Sequence, residues 1–226
     1  MGRDNSPKQR QQRAHERKVN QRASYKRILI VSEGSKTEPN YFNEIRETYR
    51  LQTANVAIQP SQWGTEPIQV VEYAKKLFEE GDLEKGIRPR AFDEVYAVFD
   101  RDDHLTYWAA LQKAEAFNGK LKNTDKQAIG FYAMVSIPSF ELWLLLHYED
   151  IQAPIHRDEV MRRLKTHFLN YQKNQANAFA TTREWLPIAH QRAEALVQKF
   201  TAYTDPEPYT DIGRLVKTLS TLREVG

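Results

Sequence analysis

Short apolar runs alternate with amphipathic stretches along the first 140 residues. Ile28-Leu29-Ile30-Val31 is continuously apolar, the pattern of a strand covered on both faces. Ser32-Glu33-Gly34-Ser35 breaks it. The spacing of Tyr41, Phe42, Ile45 and Tyr49 then predicts a helix over 38–49. A second strand is expected over 55–59, stopped by Pro60. Thr65 is a candidate N-cap, with Pro67 near the start, for a helix that buries Val70, Val71, Ala74, Leu77 and Phe78 and ends near Gly81. Residues 94–99 form a third strand leading into Asp100-Arg101-Asp102-Asp103. A helix over 106–122 carries Trp108, Leu111, Ala114 and Phe117. A fourth strand spans 130–135, with a turn at Ser136-Ile137-Pro138. Beyond Pro138 only helical periodicity remains, over 139–148, 157–168, 175–200 (broken at Pro187) and 209–222.

Strands alternating with helices imply parallel βαβ units, hence an α/β fold with helices on both faces of the sheet. Three segments follow. Residues 1–24 form a basic, Gln-rich arm without an apolar period, expected to be disordered. Residues 25–136 form the α/β core. Residues 137–226 form a mainly helical extension packed on that core, because Phe140, Leu142, Trp143 and Leu145 need the sheet to cover them.

The net charge of +3 changes when it is divided. Residues 1–26 hold eight basic side chains against Asp4 and Glu16, so the body beyond them is mildly acidic. The arm alone offers a polycation for phosphate; a solvated tail is the plainer reading. The chain is 40% hydrophobic and 28% charged, too apolar for a wholly disordered protein. No apolar run approaches the roughly 18 residues of a membrane span, and no apolar segment follows the basic N-terminus as in a signal peptide. With no Cys there is no disulfide, thiolate metal site or Cys nucleophile. A cytoplasmic protein is the simplest expectation.

Ligands of open parallel sheets bind outside the C-terminal strand ends, and acidic residues collect there. Glu33 follows strand one, Asp100 and Asp102 follow strand three with Asp103 beside them, and Glu141 opens the helix after strand four. Carboxylates converging on one edge need a cation, and oxygen-only donors suit Mg²⁺ or Mn²⁺. On an extended segment Asp100 and Asp102 point to the same side. Each also has an ordinary reading: Asp102 or Asp103 as helix cap, Glu141 as a favourable first-turn charge with Ser139 as cap.

These residues resemble the Toprim catalytic core, and more closely the RloB family of bacterial abortive-infection proteins. The resemblance rests on Ile28–Gly34 continuing through Thr37-Glu38-Pro39-Asn40-Tyr41-Phe42, on Val98-Phe99-Asp100-Arg101-Asp102, on Pro138-Ser139-Phe140-Glu141-Leu142-Trp143-Leu144-Leu145-Leu146-His147, and on Pro208-Tyr209-Thr210-Asp211-Ile212 with Leu215-Val216. It implies a Toprim-like parallel sheet and Mg²⁺- or Mn²⁺-dependent phosphodiester chemistry on DNA or RNA. Asp100 and Asp102 become metal ligands, Glu33 the acid–base or metal-orienting residue, and Glu141 a further ligand. It further suggests a phage-defence role and an ATPase encoded nearby. The Asp-X-Asp lacks the Gly that often follows in topoisomerases, and no catalytic Tyr can be placed, so strand passage is unsupported.

Around these lie Glu38, near enough to support Glu33; Ser35 and Lys36, beside a helix N-terminus that suits phosphate; Arg101, aimed away from its neighbours to contact phosphate or brace the sheet; and His104, able to orient water. His147, on an apolar helix, reads as a core histidine. Trp63 is either a base-stacking platform or a loop anchor, and Arg157, Arg162, Arg163, Lys165 and His167 either cradle a backbone or face solvent. Asn174, Asn177 and Arg183 are further candidates on the substrate side. A metal-dependent nuclease is the leading expectation. Nucleotidyl transfer at the same site is the enzymatic rival; a nucleic-acid-binding or regulatory subunit of an ATPase complex is the non-enzymatic one. No P-loop is present, so ATP hydrolysis belongs to a partner. Membrane association is not expected, and a homo-oligomer stays open.

Overall fold

The computed structural model describes residues 26–53, 55–169, 171–172 and 176–222. The arm over 1–24 and Asn174 lie outside them. Five strands form one sheet in the order β2-β1-β3-β4-β5. They are β1 (Ile28–Ser32), β2 (Val56–Pro60), β3 (Glu94–Asp100), β4 (Gly130–Ile137) and β5 (Tyr209–Thr210). The first four are mutually parallel, and β5 pairs antiparallel with β4. Helices α1 (Thr37–Thr48), α2 (Pro67–Glu80) and α3 (Tyr107–Phe117) connect the parallel strands. After β4 come α4 (Glu141–Leu145), α5 (Arg157–His167), α6 (Ala178–Thr182), a 3-10 turn (Arg183–Trp185) and α7 (Leu186–Lys199); α8 (Ile212–Thr221) follows β5. This is the expected mixed α/β class, consistent with a Toprim-like core. Among the described residues no helix is long and apolar enough to cross a membrane.

Period-two alternation divides the core in two. Ile28, Ile30, Val56, Ile58, Tyr96, Val98 and Met134 face one side of the sheet, under α1 and the helices that follow β4. Leu29, Val31, Val95, Ala97, Phe99, Phe131 and Val135 face the other, under α2 and α3. Phe140, Leu142, Trp143 and Leu145 pack on the first face as expected. Trp143 is wholly buried and its indole N–H donates to the Tyr41 hydroxyl at 2.8 Å. Truncating it to Ala forfeits about 3–5 kcal/mol.

Several boundaries differ from the periodic reading. Pro60 belongs to β2 rather than ending it, because β2 is an edge strand, where a missing N–H is tolerated. Glu66, not Thr65, holds the N-cap position of α2, its N–H donating to the Gln69 side chain at 3.3 Å. Helix α3 stops at Phe117, short of 122; Gly119, with φ +72°, turns the chain into a small hairpin closed by Lys122 and Ala128. The stretch after Pro138 is not purely helical: Tyr209–Thr210 adds β5 to the sheet, its Thr210 Oγ1 2.9 Å from Ser136 Oγ. Two residues are too few to leave a periodic trace. The helix expected over 175–200 is split, and Pro187 falls in the first turn of α7, where its lost N–H is free of cost.

The chain runs from β1 outward to β2, then crosses back over β1 to β3. Strand order therefore reverses between β1 and β3, and the C-terminal ends of those strands flank the crevice that this topology opens.

Candidate functional site

Four chain segments bring acidic side chains to that crevice. The Glu33 backbone N–H continues the sheet pairing to the Val98 carbonyl (2.8 Å), and its side-chain Oε2 accepts from the Asp100 N–H at 3.1 Å. Asp100 ends β3. Its pKa is driven well above the carboxylate range, first by burial and then by the charges of Glu38, Glu33, Glu141 and Asp102. Glu33 is also raised, chiefly by burial, against the opposing pull of the Asp100 amide and His104. Glu38 and Glu141 are buried, the latter accepting from Ser139 Oγ at 2.8 Å. Ser139 therefore supports Glu141 rather than capping α4. Glu38 lies against the Gly34 backbone so closely that any Cβ at residue 34 would overlap its carboxylate.

Asp102 reaches the cluster by another route than strand alternation. β3 ends at Asp100, and Asp102 sits in the following turn with φ +32°, a region that Asp tolerates better than most residues. Its N–H donates to the Pro138 carbonyl (3.1 Å), and its Oδ2 receives Arg157 Nη1 at 2.6 Å. Its charge nonetheless acts on both Asp100 and Glu33. Asp103 is exposed. Neither caps α3, whose N-cap position is held by Thr106.

His104 is held from both sides. Nε2 lies 3.2 Å from Glu33 Oε1 and Nδ1 3.3 Å from Glu66 Oε1, while Thr106 Oγ1 donates to Glu66 Oε2 at 2.7 Å. Sequence reasoning missed Glu66, which enters from the start of α2 and reads locally as a helix-initiating residue. It also missed Tyr171. That hydroxyl is buried, and its pKa is pushed up first by burial and then by the charges of Glu141, Glu38 and Asp100. Its only sequence signal is an aromatic in an unpatterned segment.

Arg101 braces its own loop. Its Nη1 donates to the carbonyls of Asp102 (3.0 Å) and His104 (3.3 Å), Nη2 lies 3.2 Å from Asp205 Oδ2, and the guanidinium covers the Tyr107 and Trp108 rings. Ser35 and Lys36 are exposed in the turn before α1. His147 is a core residue, its Nδ1 on the Trp143 and Leu144 carbonyls. Most basic groups of α5 are already paired: Arg162 with Glu159, and Arg163 and His167 with Glu149. Asn177 precedes α6, where Glu44 accepts its N–H and those of Phe179 and Ala180. Trp63 is 45% exposed, resting against Tyr73 and Lys76.

Among the described residues no three His, Asp or Glu side chains stand in a ready array around a metal-sized point. Asp102 is turned to Arg157, Glu141 to Ser139 and Glu33 to His104. The donors nevertheless suit a hard divalent cation: all are carboxylate oxygens, and those around Asp100 repel one another in a desolvated crevice. Neither the curated proteins nor the solved structures offer a match to this chain. A family model, that of the RloB-like proteins, matches residues 28–219 and thus spans the whole sheet and every carboxylate of the crevice; the chain belongs to that family.

Proposed function

We propose that the protein is a metal-dependent nuclease that hydrolyses phosphodiester bonds, and that it serves as an effector of phage defence beside an ATPase partner. One observation carries this reading: Glu33, Glu38, Asp102 and Glu141 all bear on the buried Asp100 at the sheet's switch point. Keeping so many acids together opposes folding, and a site that binds a divalent cation and a phosphodiester gives that cost a purpose. Asp100 and Asp102 would hold Mg²⁺ or Mn²⁺, with Glu33 and Glu141 available to a second ion. The ion would supply Lewis acidity at the phosphoryl oxygen and offset developing negative charge.

The protein's own groups account for the rest. Glu33, raised in pKa by burial, keeps a proton nearer to neutrality than an ordinary glutamate, which suits it to move a proton to or from the reacting oxygens. The Asp100 N–H fixes one of its oxygens, and His104 fixes the other. Glu66 and Thr106 hold His104 in turn, so the proton-handling group is oriented through four residues.

The test is an end-labelled cleavage assay of the purified chain with Mg²⁺ or Mn²⁺ on plasmid DNA, single-stranded DNA and total tRNA. Asp100→Ala should lower cleavage by roughly 10²-fold or more and Glu33→Ala by a similar factor. Cleavage that survives both substitutions overturns the mechanism. The Asp102–Arg157 ion pair favours a second reading, a regulatory subunit whose crevice is closed by its own arginine. That reading predicts tight nucleic-acid binding without turnover, with the ATPase present as well as without it.

A further inference from the structure

Beside the carboxylates lies a cleft of about 370 Å³ whose lining includes Asp102, Asp103, Arg157, Pro138, Pro154 and Pro206. Asp102 is common to cleft and cluster, so an occupant of the cleft adjoins whatever the cluster holds. The volume is at the lower end of small-ligand sites, roughly 300–1,000 Å³. That is space on the scale of a single nucleoside.

The lining chemistry selects among the parts of a nucleotide. Both arginines at the cleft are engaged, Arg157 with Asp102 and Arg101 with Asp205. Asp103 adds a further negative charge, and its carboxylate has no ion pair or hydrogen bond with the described residues. Three carboxylates (Asp102, Asp103 and Asp205) stand against two guanidiniums, with the His156 ring beside them, so the cleft lacks the surplus of arginines that would draw a phosphate. The rings of the three prolines, with Ile137 and Ile155, instead offer apolar walls to a flat, uncharged group. An exposed carboxylate in the same lining accepts N–H donors.

We infer that this cleft binds the nucleobase next to the scissile phosphate, with Asp103 accepting hydrogen bonds from its Watson–Crick edge. This rests on the nuclease reading above and narrows its substrate. The base must be unpaired, so the substrate is single-stranded, looped or extruded at that nucleotide. Guanine presents two adjacent donors, N1–H and the 2-amino group, matching both oxygens of one carboxylate. Uracil and thymine present one donor between two acceptors and fit worst.

The experiment measures binding separately from cleavage. The full chain carrying Asp100→Ala is titrated with fluorescent single strands identical except for one central base (guanine, inosine or thymine), and with a duplex in which the guanine is paired. Guanine should bind roughly tenfold more tightly than thymine, the discrimination of one two-point base contact. Inosine, lacking the 2-amino group, should fall between, and the duplex should lose the advantage. Adding Asp103→Asn, nearly the same in shape, should bring the guanine-to-thymine ratio to about one. Equal affinity for all the bases, a preference that survives Asp103→Asn, or failure to bind any strand overturns the inference. A base preference in a chain whose unsubstituted form cleaves nothing, with the ATPase present as well as without it, supports the cleft and defeats the nuclease; cleavage without base preference does the reverse.

Discussion

At Gly34 the requirement is spatial rather than conformational. Its φ is ordinary, but a methyl group there would occupy the place of the Glu38 carboxylate. Gly34→Ala should expel Glu38 from the cluster, lower cleavage, and shrink the Mg²⁺-induced rise in melting temperature while leaving the apo protein folded. An unchanged Mg²⁺ response would mean that Glu38 plays no part in holding the ion. Asp100 supports a stability prediction with a definite sign. Its folded pKa lies above its unfolded one, so its ionisation works against the fold, and the stability it lends at low pH is lost as pH rises. In EDTA, Asp100→Asn should therefore melt higher than the unsubstituted chain at pH 7–8, by about 2–4 °C for each kcal/mol relieved. The gap should narrow on acidification as the native carboxyl takes up its proton. A lower melting temperature at pH 7–8 would contradict the burial of an uncompensated charge. Glu33, Asp100, Asp102 and Glu141 were legible because each lies at or just beyond a strand end, where topology alone brings side chains together. Glu66 and Tyr171 arrive from a helix start and from an irregular segment, and local pattern holds no information about such long-range meetings.

Helix α5 shows how element-level reading both works and stops. Its amphipathic spacing gave its position within a residue, and most of its positive charge is spent on its own neighbours or on Glu149. What the pattern could not give is that its first residue, Arg157, crosses to Asp102. That ion pair sets the guanidinium against a metal ion for the same carboxylate. Arg157→Gln removes the competitor, so the Mg²⁺ concentration at half-maximal thermal stabilisation should fall. A partly exposed pair contributes about 1 kcal/mol, or roughly a fivefold change. A higher Mg²⁺ requirement would instead mean that Arg157 holds Asp102 in its ligating position. The same limit applied to β5: its two residues join the sheet through Ser136 and Ile137, a contact across more than 70 residues that no local periodicity announces.

Across the whole molecule, the alternating strand residues made both faces of the sheet legible, since period two assigns each side chain to α1 and the later helices or to α2 and α3. Two buried titratable groups, His147 at the end of α4 and Asp211 beside β4, were not legible as a pair. His147 has its pKa lowered to about 4, by burial first, against the carbonyls of Trp143 and Leu144 and with the charges of His190 and Arg192 adding to the depression. Its contribution is complete above the unfolded value near 6.5 and is lost as pH falls toward the folded value. Asp211, facing Tyr209 and Arg214, is raised to about 6, again by burial first. It lends stability at low pH that is lost as pH rises through 6. Between pH 7 and 5 the two act in opposite directions, His147 costing about 2 kcal/mol and Asp211 returning about 1 kcal/mol. Chemical denaturation at both pH values separates them. His147→Asn should lose less stability on acidification than the unsubstituted chain, and Asp211→Asn should lose more. If both variants keep the parent slope, neither group titrates between those limits and the opposition does not exist.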